Sequence, residues 1–225
     1  MTTTLTSDPV STVLHGLLRA EQDGDAAAFA EVGEFPLDAA PAERAELLKN
    51  VYMSVSQTGG ELLYLLARAT GARTVVEYGT SFGVSTIYLA SAVRDNGGGT
   101  VITTELQPGK AAAAQHSFDA AGLGDLIDLR IGDARDTLAQ VPRPVDLVLL
   151  DGWPDLALPV LKVLEPYLRA GTLILVDDVN LDFGGRDLHG ALLDHLATCG
   201  HYRSLTLPIG DGIEACVRLT DGAKG

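Results

Sequence analysis

The sequence is short of cysteine, of basic charge and of long apolar runs, and each shortage excludes a class of protein. Its 225 residues include only two cysteines, Cys199 and Cys216, whose separation matches neither a zinc-binding spacing nor a disulfide framework. Its 16 lysines and arginines are outnumbered by 30 acidic residues, and the resulting net charge of -14 repels phosphate backbones and anionic lipid headgroups. No apolar run is long enough to cross a bilayer. We therefore expect two free thiols and no binding to nucleic acid or membranes.

The N-terminal sequence MTTTLTSDPV also lacks features of a secretory signal. It has neither a basic start nor an apolar segment, and we therefore expect a cytoplasmic protein. Hydrophobic residues make up 46% of the chain, which is enough to bury a sizeable core. The composition predicts one globular unit.

Two helical segments open the chain. The stretch VSTVLHGLLRAEQ places apolar residues at helical spacing with Ser11 as a cap, and PAERAELLKNVYMSVS starts a second helix with Pro41 in its first turn. Residues 1–7 are expected to be a frayed tail, and the acidic, alanine-rich residues 23–38 show little periodicity. We interpret residues 1–56 as an N-terminal helical cap that covers a substrate or a dimer contact.

From residue 57 onward, helical patterns alternate with short β-branched runs, which is typical of a parallel sheet. The predicted strands are residues 74–78, 100–105, 127–131, 145–150 and 172–176, and residues 202–219 form two further runs around Pro208, Gly210 and Gly212. Right-handed crossovers would give an α/β, doubly wound sheet with a C-terminal antiparallel hairpin. Residues 57–225 would form this domain, in one compact unit with the cap.

The turn after the first strand is the first candidate site. In VVEYGTSFGVST, Gly79 and Gly83 stand four residues apart, and the following helix N-terminus favours an anionic group. The turn is not the dinucleotide fingerprint G-x-G-x-x-G, because Ser81 stands where its second glycine would be. A nicotinamide cofactor becomes less expected, and a tight structural turn remains the alternative.

The next two strands end in residues that fit a nucleoside. Glu105 ends the second strand, 26 residues after Gly79, where an acid can accept hydrogen bonds from both hydroxyls of a ribose. After the third strand, Asp133 either caps the next helix or contacts an adenine together with Ala134 or Arg135. An exposed Glu105 without a ligand is the other interpretation.

Acidic residues end the fourth and fifth strands. Asp151 follows LVLL, and Asp177 and Asp178 follow LILV, so that three carboxylates converge at one edge of the sheet. Such carboxylates repel each other unless a cation or a shared proton intervenes, and oxygen ligands suit a hard ion such as Mg²⁺. Helix capping is the alternative for one or two of them. The five histidines show no zinc spacing and are expected at the surface or on helix faces.

From about Met53 to the C-terminus, the sequence resembles the small S-adenosylmethionine-dependent O-methyltransferases of the catechol and caffeoyl-CoA type. The resemblance rests on SVSQTGGELLYLLARATGARTVVEYGTSFGVSTIYLA, VITTELQP, VDLVLLDGWPDLALPVLKVLEPYLRAGTLILVDDV and HYRSLTLPIGDGIEACVRL, which follow in the order of that family. It implies a Rossmann-like methyltransferase fold, S-adenosylmethionine as cofactor, a small hydroxylated substrate and a homodimer joined by the N-terminal helices.

The resemblance also implies roles for individual residues. Met53, Val55 and Ser56 would line the methionine end of the cofactor. Glu105 would hold its ribose, and Trp153 would pack against the bound ligands. The whole cofactor-binding set would be Met53, Val55, Ser56, Glu77, Gly79, Thr80, Ser81, Gly83, Ser85, Glu105, Leu106, Gly132, Asp133, Ala134, Arg135, Asp151 and Trp153. The metal ligands would be Asp151, Asp177 and Asp178, normally for Mg²⁺, with Mn²⁺ or Ca²⁺ as alternatives, and Asp178 replaces the usual asparagine of the family.

One catalytic position departs from the family. The lysine that commonly takes the proton, three residues after the metal-binding aspartate, is Pro154 here, and a pyrrolidine ring cannot accept a proton. Asp155, His189 or a hydroxide carried by the metal could replace it. Glu214 matches an acid that contacts a substrate hydroxyl in catechol enzymes, and an exposed strand glutamate is the alternative. The catalytic candidates are thus Asp151, Asp155, His189 and Glu214.

The sequence therefore predicts a metal-assisted O-methyltransferase that acts on a catechol or phenol, another specialised metabolite or a sugar. Three alternatives stay open: a metal-independent N-methyltransferase, a nicotinamide-dependent oxidoreductase, and a cofactor-binding protein without turnover. Methylation of transfer RNA is disfavoured by the acidity of the chain.

Overall fold

A computed structural model describes residues 3–33 and 36–221. Eight α-helices and seven strands of this part of the chain are used below. They are α1 (Asp8–Val32), α2 (Pro41–Leu47), α3 (Gln57–Thr70), β1 (Thr74–Tyr78), α4 (Val84–Asp95), β2 (Thr100–Glu105), α5 (Pro108–Ala120), β3 (Ile127–Ile131), α6 (Ala134–Thr137), β4 (Val145–Leu150), α7 (Pro154–Leu164), β5 (Leu168–Val176), α8 (Gly190–Thr198), β6 (Tyr202–Leu207) and β7 (Ile213–Arg218).

The strands form one seven-stranded sheet in the order β3-β2-β1-β4-β5-β7-β6. The first five strands are parallel, whereas β7 pairs antiparallel with both β5 and β6. The predicted α/β, doubly wound sheet with a C-terminal antiparallel hairpin is confirmed. Strand order reverses between β1 and β4, so that the carboxyl ends of these two strands border the crevice where open sheets of this kind bind ligands.

Two apolar cores cover the two faces of the sheet. On one face, α3, α4 and α5 pack around side chains such as Leu63, Ile87 and Phe118. On the other, α7 and α8 bury Leu161, Leu164, Leu192 and Leu196. Because helices cover both faces of the sheet, β1 and β4 are buried along nearly their whole length. Their sequences are therefore short apolar runs, and these runs predicted the two strands.

The N-terminal segment differs from expectation in two ways. Thr4–Thr6 form a short 3-10 helix rather than a frayed tail, and the backbone N–H and hydroxyl of Thr4 donate to the carboxylate of Asp95; Met1 and Thr2 lie outside the described residues. Helix α1 starts earlier, with Ser7 in place of Ser11 as its N-cap residue, and runs to Val32. Alanine favours the helical conformation without forming an apolar stripe. The second half of α1 is rich in alanine, and apolar periodicity therefore did not predict it.

Strand β5 is also longer than predicted, because it begins at Leu168 rather than at residue 172. The register against β4 shifts between Val145 and Leu147, and the polar hydroxyl of Thr172 donates to the carbonyl oxygen of Val145. Because the first residues of β5 pair irregularly, their sequence shows no apolar alternation, and the sequence pattern did not predict them as part of the strand. No described helix is long and apolar enough to span a membrane.

Candidate active site

A cavity of about 430 Å³ opens at the carboxyl ends of β1, β2, β4 and β5. The turns after these strands line one side of it, and α1, α2 and the segment after α2 line the other. The N-terminal helices thus cover the crevice that the sheet topology creates.

The β1–α4 turn is held by unusual backbone angles and by close packing. Gly79 and Gly83 have φ of 101° and 93°, and Ser81 has φ of 47°. A Cβ on Gly79 would lie 2.3 Å from the carbonyl oxygen of Asp151, and one on Gly83 would lie 2.4 Å from the Phe118 ring. These glycines therefore admit neighbouring protein atoms, and a side chain at Gly79 would push apart the tips of β1 and β4.

Glu77 lies beneath this turn and not on the cavity wall. Its side chain is fully buried, and one carboxylate oxygen accepts hydrogen bonds from the hydroxyls of Thr86 and Thr103. The other oxygen has no hydrogen-bond partner, and burial raises the pKa of Glu77 to about 7. Of the residues predicted around the turn, Gly79, Thr80, Ser81 and Ser85 do line the cavity, whereas Glu77 and Gly83 are absent from its described lining.

Glu105 lies at the expected place at the end of β2. Its two carboxylate oxygens accept hydrogen bonds from the backbone N–H groups of Ser81, at 2.8 Å, and Gln107, at 2.9 Å. Leu106 and Gly132 line the cavity next to it. The carboxylate is thereby oriented by the backbone and keeps lone pairs for a ligand.

The turn after β3 shows the predicted helix cap, and the adenine contact stays a prediction. Asp133 is the N-cap residue of α6: its carboxylate accepts from the Arg135 backbone N–H at 2.9 Å and forms an ion pair with the guanidinium of Arg135. Asp133 and Ala134 also line the cavity, whereas the described lining does not include Arg135. The guanidinium of Arg135 thus pairs with Asp133, the N-cap residue of α6, rather than facing the cavity.

The segment predicted to hold the methionine end of the cofactor divides into two parts. Met53, with φ of 47°, and Ser54 line the cavity. Val55 is buried in the apolar core, and the hydroxyl of Ser56 caps α3 by accepting from the Gly59 N–H at 3.1 Å. The described side chains of Val55 and Ser56 therefore have structural roles.

Sequence analysis missed the contribution of α1 to this segment. Asp25 accepts hydrogen bonds from the backbone N–H groups of Tyr52 and Met53, and Glu21 accepts from that of Ser54 at 2.8 Å. Glu21, Asp25 and Phe29 follow each other at intervals of four, so that one face of α1 lines the cavity. Only this spacing could have revealed them, and two of the three residues are acids that resemble a solvated face.

Three acids line the cavity at the ends of β4 and β5. Asp177 is buried, Asp151 is partly exposed, and Asp178 follows with φ of 59°. Burial and the mutual repulsion of the carboxylates raise the pKa of Asp151, and raise those of Asp177 and Asp178 to about 7 and about 6. Asp211, a fourth acid that sequence analysis missed, adds to the repulsion.

The metal prediction is not confirmed by this arrangement. Within residues 3–33 and 36–221, no three histidine, cysteine, aspartate or glutamate side chains are placed so that they could hold an ion. The chemistry of the donor set nevertheless fits a hard divalent cation, because these carboxylates share one cavity, where burial and then their mutual repulsion raise their pKa values.

The remaining cavity wall is apolar and aromatic. Trp153 and Pro154, which follow Asp151, lie in this wall, and its other members are Phe29, Pro41, Ala45, Leu48, Leu156, Leu181 and Phe183. His189 also lines it and is only 5% exposed, so that the expectation of a surface histidine is wrong here. Its burial follows from the fold of residues 177–189, which brings Phe183 within 6.2 Å of the imidazole between ring centroids.

Two of the catalytic candidates have partners elsewhere. The carboxylate of Asp155 accepts two hydrogen bonds from the guanidinium of Arg44, at 2.9 and 2.8 Å, and the described cavity lining does not include it. Glu214 is buried on β7 and accepts a hydrogen bond from the hydroxyl of Thr206, so that the alternative of an exposed strand glutamate is wrong. Asp151 and His189 alone among the four candidates belong to the described cavity wall.

Comparison with known proteins gives consistent results. A family described as a methyltransferase domain matches residues 76–179. The chain is 35% identical over 150 residues to a catechol O-methyltransferase of Niastella koreensis, and this alignment covers 65% of the chain and 64%, slightly less than two thirds, of that protein. It is 30% identical over 181 residues to a catechol O-methyltransferase of Mus musculus, covering 76% of the chain and 68% of that protein.

A solved structure is similar over most of its length. It is the O-methyltransferase from Bacillus cereus in complex with SAH, with a TM-score of 0.66 and 26% identity, and the match covers 80% of this chain and 91% of that one. The matched regions include the β1–α4 turn and the ends of β4 and β5, which is where the cavity lies.

Proposed function

Because the chain belongs to the S-adenosylmethionine-dependent O-methyltransferases of the catechol and caffeoyl-CoA type, we propose that it transfers a methyl group from S-adenosylmethionine to a hydroxyl of a small acceptor, assisted by a divalent cation. One observation carries the proposal: a single cavity contains the predicted nucleoside residues at one end and the acid cluster beside an apolar wall at the other.

The cofactor end supports binding of the nucleoside and the amino acid portion. Glu105 offers a carboxylate that two backbone N–H groups orient toward a ribose diol. Ser85 lies in the first turn of α4, where the helix dipole favours the carboxylate of the methionine portion, and Gly79 lies in the turn before this helix. The neighbouring structure solved with SAH supports the same ligand class.

We propose that Asp151, Asp177 and Asp178 hold Mg²⁺, or Mn²⁺ or Ca²⁺ in its place. When bound, such an ion would lower the pKa of a coordinated acceptor hydroxyl and help to orient it. The chain itself contributes three carboxylates that line one cavity beside an apolar wall, and Asp177 among them is buried.

We propose His189 as the group that takes the acceptor proton. Pro154 cannot do so, and Arg44 engages both oxygens of Asp155. Burial lowers the pKa of His189 from its ordinary value, against the opposing effect of Asp187, and the imidazole is therefore neutral near pH 7 and can accept a proton.

The apolar wall favours an aromatic acceptor over a sugar. Trp153, Phe183 and Phe29 give the acceptor end flat, apolar surfaces, and such walls bind planar rings better than polyols. Two relatives are named catechol O-methyltransferase. We therefore propose a phenol or catechol, including a specialised metabolite that carries such a ring.

The experiment is transfer of a labelled methyl group from S-adenosylmethionine to a catechol, with Mg²⁺ and with a chelator. We expect turnover that needs the cation. Turnover of amines that resists the chelator would favour a metal-independent N-methyltransferase. Tight SAH binding with no transfer to any phenol or diol would favour a binding protein without turnover.

Substitution of Asp151 tests the role of the acid cluster. We expect Asp151→Asn to lower the rate of methyl transfer far more than the affinity for SAH, because a neutral amide is a weaker ligand for a hard cation. Calorimetric titration with SAH and the rate assay measure the two effects. Equal losses in both would contradict a metal role, and Asp182→Asn provides a control outside the described cavity lining.

Three further proposals concern the assembly, the location and the domain organisation of the protein. We propose a homodimer joined by the N-terminal helices, a cytoplasmic location, and a cap of residues 1–56 that folds as one unit with residues 57–225. Packing of α1 against α4 and α5 supports the last of these, because it joins the cap to the sheet domain.

A further inference from the structure

Lys110 is a buried lysine that faces the cavity and that no role proposed above uses. It lies in the first turn of α5, and its side chain is only 5% exposed. Among the described residues that line the cavity it is the single lysine or arginine. The acids of that lining are Glu21, Asp25, Glu105, Asp133, Asp151, Asp177, Asp178 and Asp211.

The ammonium group of Lys110 has few partners for a buried charge. Its Nζ donates one long hydrogen bond, 3.3 Å, to Ser81 Oγ, and it stands 5.4 Å from the centroid of the Phe82 ring. In the described part of the chain, no carboxylate lies within 4.0 Å of it. An ammonium has three N–H donors, and leaving them unpaired in a buried place is costly.

The charges that face Lys110 explain why it can stay protonated. Burial lowers its pKa, while Glu105 from β2 and Asp25 from α1 act in the opposite direction. The carboxylates of both acids already accept backbone hydrogen bonds, Glu105 from Ser81 and Asp25 from Tyr52. The ammonium is thus held near two acids while its donors remain available on the cavity side.

The chain places Lys110 next to Glu105 through a rigid connection. Gln107 caps α5 by accepting from the Lys110 backbone N–H at 2.8 Å, and the Gln107 N–H donates to Glu105. An acceptor carboxylate and a donor ammonium therefore line the same cavity, near enough for the charge of Glu105 to raise the pKa of Lys110. A vicinal diol matches this pair, because each of its hydroxyls can donate to the carboxylate and accept from the ammonium.

We propose that Lys110 is a cofactor-binding residue, which donates a hydrogen bond to a ribose hydroxyl oxygen of S-adenosylmethionine while Glu105 accepts from the same diol. The proposal rests on the proposed function, since it takes the cofactor from there. It adds a second group to ribose recognition and completes the hydrogen bonding of a buried ammonium.

Support of the Ser81 turn is the competing role, and the contacts disfavour it. Ser81 is already held by two stronger bonds: its N–H donates to Glu105 at 2.8 Å, and its hydroxyl donates to the carbonyl oxygen of Tyr52. The 3.3 Å bond from Lys110 adds little to these.

The test is calorimetric binding of SAH and of its 2′-deoxy and 3′-deoxy analogues to the wild type and to Lys110→Met. We expect Lys110→Met to bind SAH roughly 10- to 100-fold more weakly, the loss associated with a hydrogen bond from a charged group. For the analogue that lacks the contacted hydroxyl, the same substitution should cause no further loss. Lys110→Arg should recover part of the affinity for SAH.

Controls separate this proposal from the proposed function. Lys162→Met removes a half-exposed lysine on α7 and should leave SAH binding unchanged. An equal loss for all three ligands in Lys110→Met would overturn the ribose contact in favour of turn support, and an unchanged affinity would overturn any cofactor role. A wild type that binds no SAH would instead refute the proposed function. Lys110→Gln gives a second binding measurement if the methionine variant does not fold.

Discussion

Pro154 stands three residues after Asp151, where the family commonly has the lysine that takes the acceptor proton. Its ring occupies the first turn of α7, and Arg44 engages the carboxylate of the next residue, Asp155. The imidazole of His189 reaches the same cavity from the segment before α8. At the scale of single residues, the base that we propose, His189, lies far in sequence from the family's lysine position at Pro154.

His189 gives a prediction with a definite pH dependence. Burial lowers its pKa, and the role that we propose for it needs the neutral imidazole. We therefore expect kcat to rise as pH rises through this lowered pKa and to stay level above it. His189→Asn should remove this rise and reduce kcat by roughly 10²- to 10⁴-fold, the usual contribution of a general base. A pH–rate profile measures both effects.

A matched control exists elsewhere in the chain. His116 lies on α5, and the described cavity lining does not include it. His116→Asn should therefore keep the pH profile and the rate of the wild type. A His189→Asn variant that kept the acid-side rise in kcat would contradict the proposed role.

At the scale of elements, the β1–α4 turn joins the cofactor end of the site to the acid cluster. Gly79 has a positive φ and no room for a side chain beside the backbone of Asp151. The turn thus needs glycine at residue 79 for two reasons, the positive φ and the close approach of the Asp151 backbone. Another glycine of the chain has the positive φ alone, and substitution of both glycines can distinguish the two effects.

Gly97 has a similar φ of 90° with nothing within 4 Å of a Cβ position. Gly97→Ala should therefore cost only the strain of the left-handed region, about 1–2 kcal/mol in the free energy of unfolding. Gly79→Ala should cost clearly more and also weaken SAH binding, because it displaces Asp151. Urea unfolding and SAH titration measure the two variants, and equal costs would show that space at Gly79 is unimportant.

Helix α2 contacts the site through an ion pair between a buried arginine and a partly exposed acid. The Arg44 side chain is 2% exposed, donates two hydrogen bonds to Asp155 and lies 4.8 Å from the centroid of the Trp153 ring, while its Nε has no hydrogen-bond partner. This contact links the helical cap to the residues that follow Asp151.

Removal of the Asp155 carboxylate alone should destabilise the protein more than removal of both charges of the Arg44–Asp155 pair. Asp155→Asn leaves the Arg44 charge buried and should cost about 3 kcal/mol of unfolding free energy. Arg44→Met in the same chain should restore most of this loss, because methionine fills the space without a charge. Chemical denaturation of the single and double variants measures the coupling, and equal instability of the two would contradict this account.

An ion pair at the protein surface provides a comparison with the Arg44–Asp155 pair. Arg186 and Asp38 join two surface segments with both side chains largely exposed to solvent. Such pairs contribute little in water, so that Arg186→Met should leave the unfolding midpoint nearly unchanged.

At the scale of the whole molecule, the cavity lies between the cap and the sheet domain. Residues of α1 and α2 line one wall and the strand ends line the other. A ligand in this cavity therefore contacts both parts and should stabilise them together.

We expect a single unfolding transition whose midpoint SAH raises. At 100 times its Kd, a ligand that binds only the native state adds about 2.7 kcal/mol. For a chain of this length, this corresponds to a rise of about 5–10 °C in Tm. Calorimetry measures it, and two transitions of which SAH shifts only one would contradict a cap and domain that fold as one unit.

The pattern of residues along the chain was enough to predict the sheet, the order of its elements and the residues at the strand ends. Buried parallel strands are apolar along their length, and acids such as Glu105 and Asp151 interrupt that pattern abruptly where each strand ends. These are local signals, and the boundaries of β1, β2, β3 and β4 agree with prediction to the residue.

Which polar side chains face the cavity could not be predicted and became visible in the folded chain. Lys110, Asp25 and His189 resemble solvated helix or loop residues in the sequence, and the fold turns them inward. Conversely, Asp155 follows the site in sequence, but Arg44, 111 residues away, holds its carboxylate. Burial of a polar group depends on distant segments that pack over it, and a pattern of neighbouring residues does not contain that information.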